Sequence, residues 1–163
     1  MKTLYLVRHA KSSWETDVID HKRPLKTRGK NDAKMVSNYV SEHFKAPDVI
    51  VTSDATRALS TAQYFKDAFQ LSGDHFEINH NLYDFSGHKV MDVIKNLKDK
   101  YATVMIVGHN HAFTSIANML GNEYLDNVPT CGFVILQFNE DQWSSVSTGV
   151  TVKTVFPRDL RDE

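Results

Sequence analysis

The sequence predicts an α/β protein in which helices cover both faces of a mostly parallel sheet, a three-layer α/β/α arrangement that ends in an antiparallel hairpin. Short β-branched and apolar runs alternate along the chain with longer amphipathic stretches. Two of these runs, residues 4–7 and 104–107, are almost wholly apolar, which is typical of central parallel strands covered on both sides. With 163 residues, few Gly and Pro and no linker-like segment, residues 1–163 are expected to form a single domain.

Six strands are predicted from the β-branched and apolar runs. In chain order they lie at residues 3–7, 48–52, 76–78, 103–107, 133–138 and 145–150. The last two flank the turn-forming stretch Asn139-Glu140-Asp141-Gln142, which predicts the antiparallel hairpin.

Four helices are predicted between these strands, at residues 27–44, 55–70, 87–100 and 111–120, each with an apolar stripe at helical spacing. Asp54 precedes the second helix and Gly121 follows the fourth, and both are residue types that commonly end helices. The stripes are interpreted as core packing rather than as cofactor-binding surfaces.

Charge is distributed unevenly along the chain. The net charge is only −1, so no global attraction to nucleic acid is expected, but residues 1–34 carry nine Lys or Arg against four Asp or Glu. A basic N-terminal fifth suggests a locally held anionic substrate, although a solvated basic face explains the charge equally well.

The composition also predicts where the protein acts. No apolar run approaches the roughly 20 residues of a membrane helix, and the start of the chain lacks signal-peptide features. The single cysteine, Cys131, excludes an internal disulfide, so a cytoplasmic location without membrane association is expected. Cys131 is interpreted as a small residue at a Thr-Cys-Gly bend rather than as a reactive thiol.

Two histidines directly follow the two most apolar strands. Arg8-His9-Ala10 ends the first strand, and Gly108-His109-Asn110 ends the fourth and opens a helix. Ligands of open parallel α/β sheets bind at the carboxyl ends of strands, so His9 and His109 share one pocket if their strands are neighbours. The other six, His21, His43, His75, His80, His88 and His111, are taken as structural or exposed.

Arginine accompanies these histidines at the same edge. Arg8 precedes His9, and Arg57 starts the helix after the second strand. A guanidinium binds phosphate bidentately, so two arginines and two histidines suit a tetrahedral dianion. Metal binding is the weaker interpretation, because His109 and His111 have poor shared-face spacing and no His-x-x-x-His pair occurs on a helix. No cofactor is expected.

The chain resembles the histidine phosphatase superfamily, the phosphoglycerate mutase-like group. Three ordered segments carry the resemblance: Leu6-Val7-Arg8-His9-Ala10-Lys11-Ser12-Ser13-Trp14, Thr52-Ser53-Asp54-Ala55-Thr56-Arg57-Ala58 with Thr61-Ala62, and Val107-Gly108-His109-Asn110. Within the group it is most similar to the short SixA-type phosphohistidine phosphatases. That likeness rests on Asp20-His21-Lys22-Arg23-Pro24-Leu25, Arg28-Gly29 and Asn127-Val128-Pro129-Thr130-Cys131-Gly132.

The resemblance implies a role for each of these residues. His9 is the implied nucleophile, while Arg8, Arg57 and His109 bind the phosphoryl oxygens without a metal. His9 must attack as neutral imidazole, so its other ring nitrogen needs an acceptor such as a backbone carbonyl. Many relatives carry a general acid after the third strand, where this chain offers only Asp84, which is equally a turn or cap residue before the third helix.

The length of the chain bears on the substrate. Mutases and sugar phosphatases of this group have insertions that cover the pocket, whereas this chain has none between its strands, so an open site is expected. Such a site suits a phosphorylated protein or a small phosphoester, and Arg23 and Arg28 either guide that partner or are simply solvated. The oligomeric state is not predicted.

Other function classes are compatible with fewer of these features. A phosphomutase needs a closed pocket, and a non-catalytic phosphate- or phosphoprotein-binding module has no need of a nucleophilic His9. The chain has no Gly-x-Gly-x-x-Gly run for dinucleotide binding and no basic recognition helix for DNA binding.

Overall fold

The centre of the molecule is a six-stranded sheet, described here from a computed structural model that covers residues 1–161. Its strands are β1 (Lys2–Arg8), β2 (Val49–Thr52), β3 (Phe76–Ile78), β4 (Thr103–Gly108), β5 (Phe133–Phe138) and β6 (Val150–Val155), in the order β3-β2-β4-β1-β5-β6. The first four are parallel, β5 is antiparallel to β1, and β6 is antiparallel to β5. The predicted mostly parallel sheet with a C-terminal hairpin is confirmed.

Helices cover both faces of this sheet. They are α1 (Thr27–His43), α2 (Thr56–Ala68), α3 (His88–Lys95), α4 (Ala112–Leu120) and α5 (Pro157–Arg161). Alternate residues of β1 point to opposite faces, so Leu4 and Leu6 join a core with α3 and α4, while Tyr5 and Val7 join a core with α1 and α2. Because both faces of β1 are buried, its sequence reads as a continuous apolar run.

Strands β1 and β4 lie side by side in the middle of the sheet. Their register pairs Val7 with Val107 and Arg8 with Gly108, and the backbone N–H of His9 donates to the Gly108 carbonyl at 3.0 Å. The condition set by the sequence, that the strands ending in His9 and His109 be neighbours, is therefore met.

Three elements differ from the sequence-based prediction. The last strand was predicted at residues 145–150 and is instead Val150–Val155, because the preceding connection buries Trp143, whose indole N–H donates to the Tyr101 carbonyl at 2.9 Å. The third helix, predicted to reach residue 100, ends at Lys95, where the Asn96 side chain donates to the Asp92 carbonyl at 2.8 Å. Helix α5 was not predicted.

Within residues 1–161, no helix combines the length and the apolar character needed to cross a membrane.

Candidate active site

His9 is oriented by the backbone immediately after it. Its Nδ1 lies 2.8 Å from the carbonyl oxygen of Ala10, which only accepts, so Nδ1 carries the hydrogen and Nε2 keeps a lone pair. Burial is the main cause that lowers the pKa of His9 to about 3, and the nearby positive charges act in the same direction. His9 is therefore neutral near pH 7, and Ala10 supplies the carbonyl acceptor that the sequence analysis called for.

His109 is fully buried next to His9, with 5.3 Å between the two ring centroids. Its Nε2 is 2.9 Å from the Oγ of Ser53, while its Nδ1 has no hydrogen-bond partner. Burial, followed by the charge of Arg57, lowers the pKa of His109 to about 3. This imidazole is thus held at one nitrogen and left available at the other.

Arg8 and Arg57 are anchored at their terminal nitrogens. Arg8 Nη1 donates to the Val128 carbonyl at 2.9 Å, and Arg57 donates from Nη1 to the Asp20 carbonyl at 2.7 Å and from Nη2 to Asp20 Oδ2 at 3.0 Å. The Nε atoms of both arginines are buried without a partner. Each guanidinium is therefore fixed in place with a donor left unused.

Unsatisfied buried polar atoms are concentrated in this group. Over residues 1–161, four buried side-chain nitrogen or oxygen atoms lack a hydrogen-bond partner, and three of them are Arg8 Nε, Arg57 Nε and His109 Nδ1. Native proteins leave few such groups unpaired, and unpaired groups often mark a site for a ligand or ion. Three nitrogens of this kind around one histidine indicate a site for an anionic ligand.

These side chains surround an open pocket of about 330 Å³. Its wall includes Arg8, His9, Asp20 and Arg57, and Trp14 and Phe85 form part of its lining with 79% and 46% of their surface exposed. His109 does not line this pocket, and its ring lies next to those of His9, Tyr83 and Phe85. Two larger cavities, of about 350 and 610 Å³, contain none of the predicted site residues.

Asp20 is a further site residue, which the sequence indicates only as the first residue of a SixA-type run. Besides Arg57, it accepts from the Tyr83 hydroxyl at 2.6 Å and from Arg23 Nε at 3.0 Å. Its partial burial acts to raise the pKa of Asp20, but these hydrogen bonds outweigh burial and hold the pKa well below its usual range. Asp20 therefore stays ionised and orients Arg57, a contact between residues 37 positions apart that the sequence pattern does not reveal.

A smaller set of polar residues supports the same group. Thr61 Oγ1 accepts from the backbone N–H of Ala10 at 2.9 Å and donates to the Arg57 carbonyl at 2.8 Å, so it ties the segment after β1 to α2. Thr61 and Ser53 both lie in the second of the three sequence motifs, which was the available signal for their importance.

Asp84 has the contacts of a helix cap. Its Oδ1 accepts from the N–H and hydroxyl of Ser86, and its Oδ2 accepts from the N–H groups of Gly87, Lys89 and Val90. Although burial opposes them, these bonds lower the pKa of Asp84. The contacts fit the turn or cap interpretation of Asp84, and none of them supports a role as general acid.

The other residues discussed from the sequence also have defined positions. Arg23 is buried, stacks on the Trp14 ring at 3.5 Å and donates to Ser12 Oγ at 2.6 Å, whereas Arg28 is exposed. Arg23 thus holds the loop that contains Ser12 and Trp14 in place, rather than being solvated. Cys131 is buried at a left-handed φ of 58°, and burial raises the pKa of its thiol, as suits a bend residue of low reactivity.

Comparison with solved structures supports the architecture. A proposed phosphohistidine phosphatase SixA from Agrobacterium tumefaciens matches with a TM-score of 0.81 and 24% identity, covering 96% of this chain and 98% of that one. A structure of the protein histidine phosphatase SixA with tungstate matches with a TM-score of 0.82 and 18% identity, covering 98% of this chain and 99% of that one. The fold is therefore the one shared by the SixA structures, as predicted.

Comparison of sequences identifies the family. An uncharacterised chloroplast protein of Arabidopsis thaliana is 30% identical over 151 residues, which cover 87% of this chain and 69% of that protein. The family model of the histidine phosphatase superfamily, branch 1, matches residues 4–86, a span that contains His9, Arg8 and Arg57. The chain belongs to the histidine phosphatase superfamily.

Proposed function

We propose that this chain is a metal-independent phosphatase that transfers a phosphoryl group first to His9 and then to water. Membership of the superfamily supports phosphatase chemistry in general. The observation that carries the specific mechanism is the free Nε2 of a neutral His9 beside three buried nitrogens that have no partner. The nucleophile and the unpaired donors of Arg8 and Arg57 thus belong to residues that line one pocket, and the unpaired Nδ1 of His109 belongs to the ring next to His9.

In the first step, the Nε2 lone pair of His9 attacks the phosphorus atom. The bond from phosphorus to the leaving group breaks, the leaving group departs with the electron pair, and an N–P bond forms on His9. The hydrogen stays on Nδ1, which donates it to the Ala10 carbonyl, so this hydrogen bond stabilises the positive charge that develops on the ring.

In the second step, water attacks the phosphorus of phospho-His9. The N–P bond breaks, its electron pair returns to Nε2, and inorganic phosphate leaves with the proton balance completed by solvent. Splitting the hydrolysis into two displacements replaces one difficult step with two easier ones.

The basic residues supply the charge that a metal supplies in other phosphoryl-transfer enzymes. The free Nε atoms of Arg8 and Arg57 and the free Nδ1 of His109 are the donors for the equatorial oxygens. For neutral His109 to donate from Nδ1, its Nε2 must accept the hydroxyl hydrogen of Ser53. Because Asp20 keeps Arg57 in place before substrate arrives, little reorganisation is needed on binding.

We propose phosphohistidine proteins as the first substrate class and small phosphoesters as the second. A phosphoramidate or activated ester has a good leaving group and needs little acid assistance, which agrees with the capping contacts of Asp84. The exposed rim formed by Trp14 and Phe85 leaves room for a protein side chain. The SixA structures with this fold are described as phosphohistidine phosphatases, which also favours this substrate.

The test is phosphate release from a phosphohistidine protein and from p-nitrophenyl phosphate, in the presence of EDTA, with wild type and His9→Ala side by side. We expect turnover that survives EDTA and is lost in His9→Ala, together with an acid-labile phosphoenzyme in wild type only. The ratio of the two wild-type rates then ranks the substrate classes.

Each other outcome identifies a different function. Absence of turnover on both substrates, with phosphate still bound, would indicate a binding module. Transfer of the phosphoryl group to an added alcohol rather than to water would indicate a phosphomutase, and activity abolished by EDTA would indicate a metal-dependent reaction.

A further inference from the structure

A second group of histidines lies at the same edge of the sheet, outside the proposed phosphoryl-binding group of Arg8, His9, Arg57 and His109. It consists of His21, Asp54 and His80, whose nearest nitrogen and oxygen atoms all lie within 4.8 Å of one another. The Nε2 of His21 is 2.9 Å from Asp54 Oδ1, and the Nδ1 of His80 is 2.9 Å from Asp54 Oδ2. From the sequence, both histidines are expected to be structural or exposed.

This group is distinct from the catalytic one. The Tyr83 ring is in contact with His21, at 4.9 Å between centroids, and with His109, at 5.3 Å, so an aromatic ring lies beside both groups. None of His21, Asp54 and His80 lines the catalytic pocket. A ligand bound to the second group therefore lies outside that pocket.

The three side chains come from three separate segments. His21 belongs to the 3₁₀ turn Asp20–Lys22, Asp54 follows β2, and His80 begins the 3₁₀ turn His80–Leu82. The contacts between His21 and His80 and the two oxygens of Asp54 thus depend on tertiary structure and not on one local turn. A single ligand held by all three would join these segments.

The donor chemistry selects the kind of ligand. Two imidazole nitrogens and one carboxylate oxygen are ligands that Zn²⁺ and related first-row cations prefer, whereas Mg²⁺ and Ca²⁺ prefer oxygen alone. We propose that His21, Asp54 and His80 form a binding site for a divalent transition-metal cation of the Zn²⁺ type. Solvent completes the coordination, because the side chains are 30%, 31% and 68% exposed.

Only a small rearrangement is needed for binding. Tetrahedral Zn²⁺ with bonds of about 2.0–2.1 Å needs ligand atoms about 3.3 Å apart. The two nitrogens are already 2.9 Å from the Asp54 oxygens, and rotation of the exposed His80 side chain brings the imidazoles closer to each other. Each imidazole binds a cation through the lone pair of the nitrogen that faces Asp54, so any hydrogen on that nitrogen must leave it on binding.

The site has a structural consequence for the catalytic pocket. His21 directly follows Asp20, the residue that holds Arg57, so a bound cation ties the segment carrying Asp20 to the start of α2. The cation is expected to stabilise this loop while leaving the chemistry to His9. The metal-free protein should therefore retain its turnover, and the binding test does not depend on the proposed function.

The experiment is titration of the untagged, EDTA-treated protein with Zn²⁺ by calorimetry and with Co²⁺ by visible absorption. We expect one cation per chain, a Co²⁺ spectrum of tetrahedral or five-coordinate type, and a higher midpoint of thermal unfolding with Zn²⁺. Loss of one ligand in His80→Ala should weaken binding by at least the roughly 10- to 100-fold that loss of an outer-shell partner costs.

Matched variants locate the cation. His88→Ala removes an exposed histidine elsewhere and should bind Zn²⁺ like wild type, while Asp54→Asn should lose binding as His80→Ala does. Because His80 is exposed, His80→Ala should fold normally and keep its metal-free turnover. The proposal is overturned if wild type binds no cation stoichiometrically, or if His9→Ala abolishes binding that His80→Ala leaves unchanged.

Discussion

The two histidine groups at the carboxyl edge of the sheet contain the same side chain in opposite electrostatic surroundings. His9 and His109 are buried beside Arg8 and Arg57, and their pKa values are lowered to about 3. His21 and His80 are partly exposed and share a carboxylate, Asp54. Burial and neighbouring positive charge thus keep His9 and His109 neutral, whereas His21 and His80 share a carboxylate, and the two proposed roles, phosphoryl transfer and cation binding, follow this difference.

Asp20 connects the two groups. It lies beside His21 in the chain, yet its carboxylate holds Arg57 of the buried group. The comparison is therefore between two sites that share a structural element, and variants that affect one site without the other give the sharpest test of it.

After the loss of turnover expected for His9→Ala, the largest expected effect is that of removing a guanidinium from the buried group. Arg8→Ala should lower kcat/KM for phosphohistidine hydrolysis by about 100- to 1,000-fold, the typical cost of losing one donor that stabilises a developing charge. Steady-state kinetics on both substrates measure the loss. Zn²⁺ affinity should be unchanged, because Arg8 has no contact with the second group.

Arg28→Ala is the matched control for Arg8→Ala. Arg28 is exposed on α1, so its removal tests whether any nearby positive charge is sufficient. Equal losses in the two variants would show that general attraction of the anion, and not the anchored position of Arg8, accounts for the rate.

A smaller effect is expected from Ser53→Ala, which removes the hydrogen bond to His109 Nε2. A bond of this kind contributes about 1–1.5 kcal/mol, so kcat should fall about tenfold as His109 loses its fixed tautomer. Ser37→Ala is the control, since Ser37 is also buried but bonds only to the Lys34 carbonyl on α1. An unchanged kcat in Ser53→Ala would show that the hydrogen bond from Ser53 to His109 is not needed for the reaction.

The positions of the main site residues could be predicted from the sequence because they depend on strand ends. His9 and His109 follow apolar runs, and parallel strands bring such ends to one edge. Asp20 and Ser53 lie in the quoted sequence runs, but their contacts with Arg57 and His109 could not be predicted, because they join segments that meet only in the folded chain. The same holds for the group of His21, Asp54 and His80. The last strand was misplaced for a related reason, since burial of Trp143 lengthens the connection before β6.

Acid sensitivity offers a third test of the contrast between the two groups. A histidine whose pKa is lower in the folded protein than in the unfolded chain binds its proton first in the unfolded chain. The contribution of His109 to the free energy of unfolding is therefore complete above about pH 6.5 and is lost as the pH falls from there toward about 3. The loss is at most about 1.4 kcal/mol per pH unit for each such histidine.

Denaturant unfolding of wild type and His109→Asn between pH 6.5 and 4.5 measures this effect. The variant should have a lower stability at neutral pH but a shallower decline with acid, since one proton fewer is taken up on unfolding. Asp20 and Asp84, whose pKa values are lowered, contribute only at more acidic pH. Parallel declines in the two proteins would contradict the buried, neutral state of His109.

The smallest effect on activity is expected for Asp84→Asn. The substitution weakens the bonds to the start of α3, so the free energy of unfolding should fall by about 1 kcal/mol, as for loss of a helix cap. Turnover of phosphohistidine should stay near the wild-type rate, because its leaving group needs little acid assistance. Rates on phosphohistidine and on an unactivated alkyl phosphate distinguish a helix cap from a general acid. A hundredfold loss confined to the alkyl phosphate would make Asp84 a general acid that phosphohistidine does not need. A hundredfold loss on both substrates would show that Asp84 is catalytic for both.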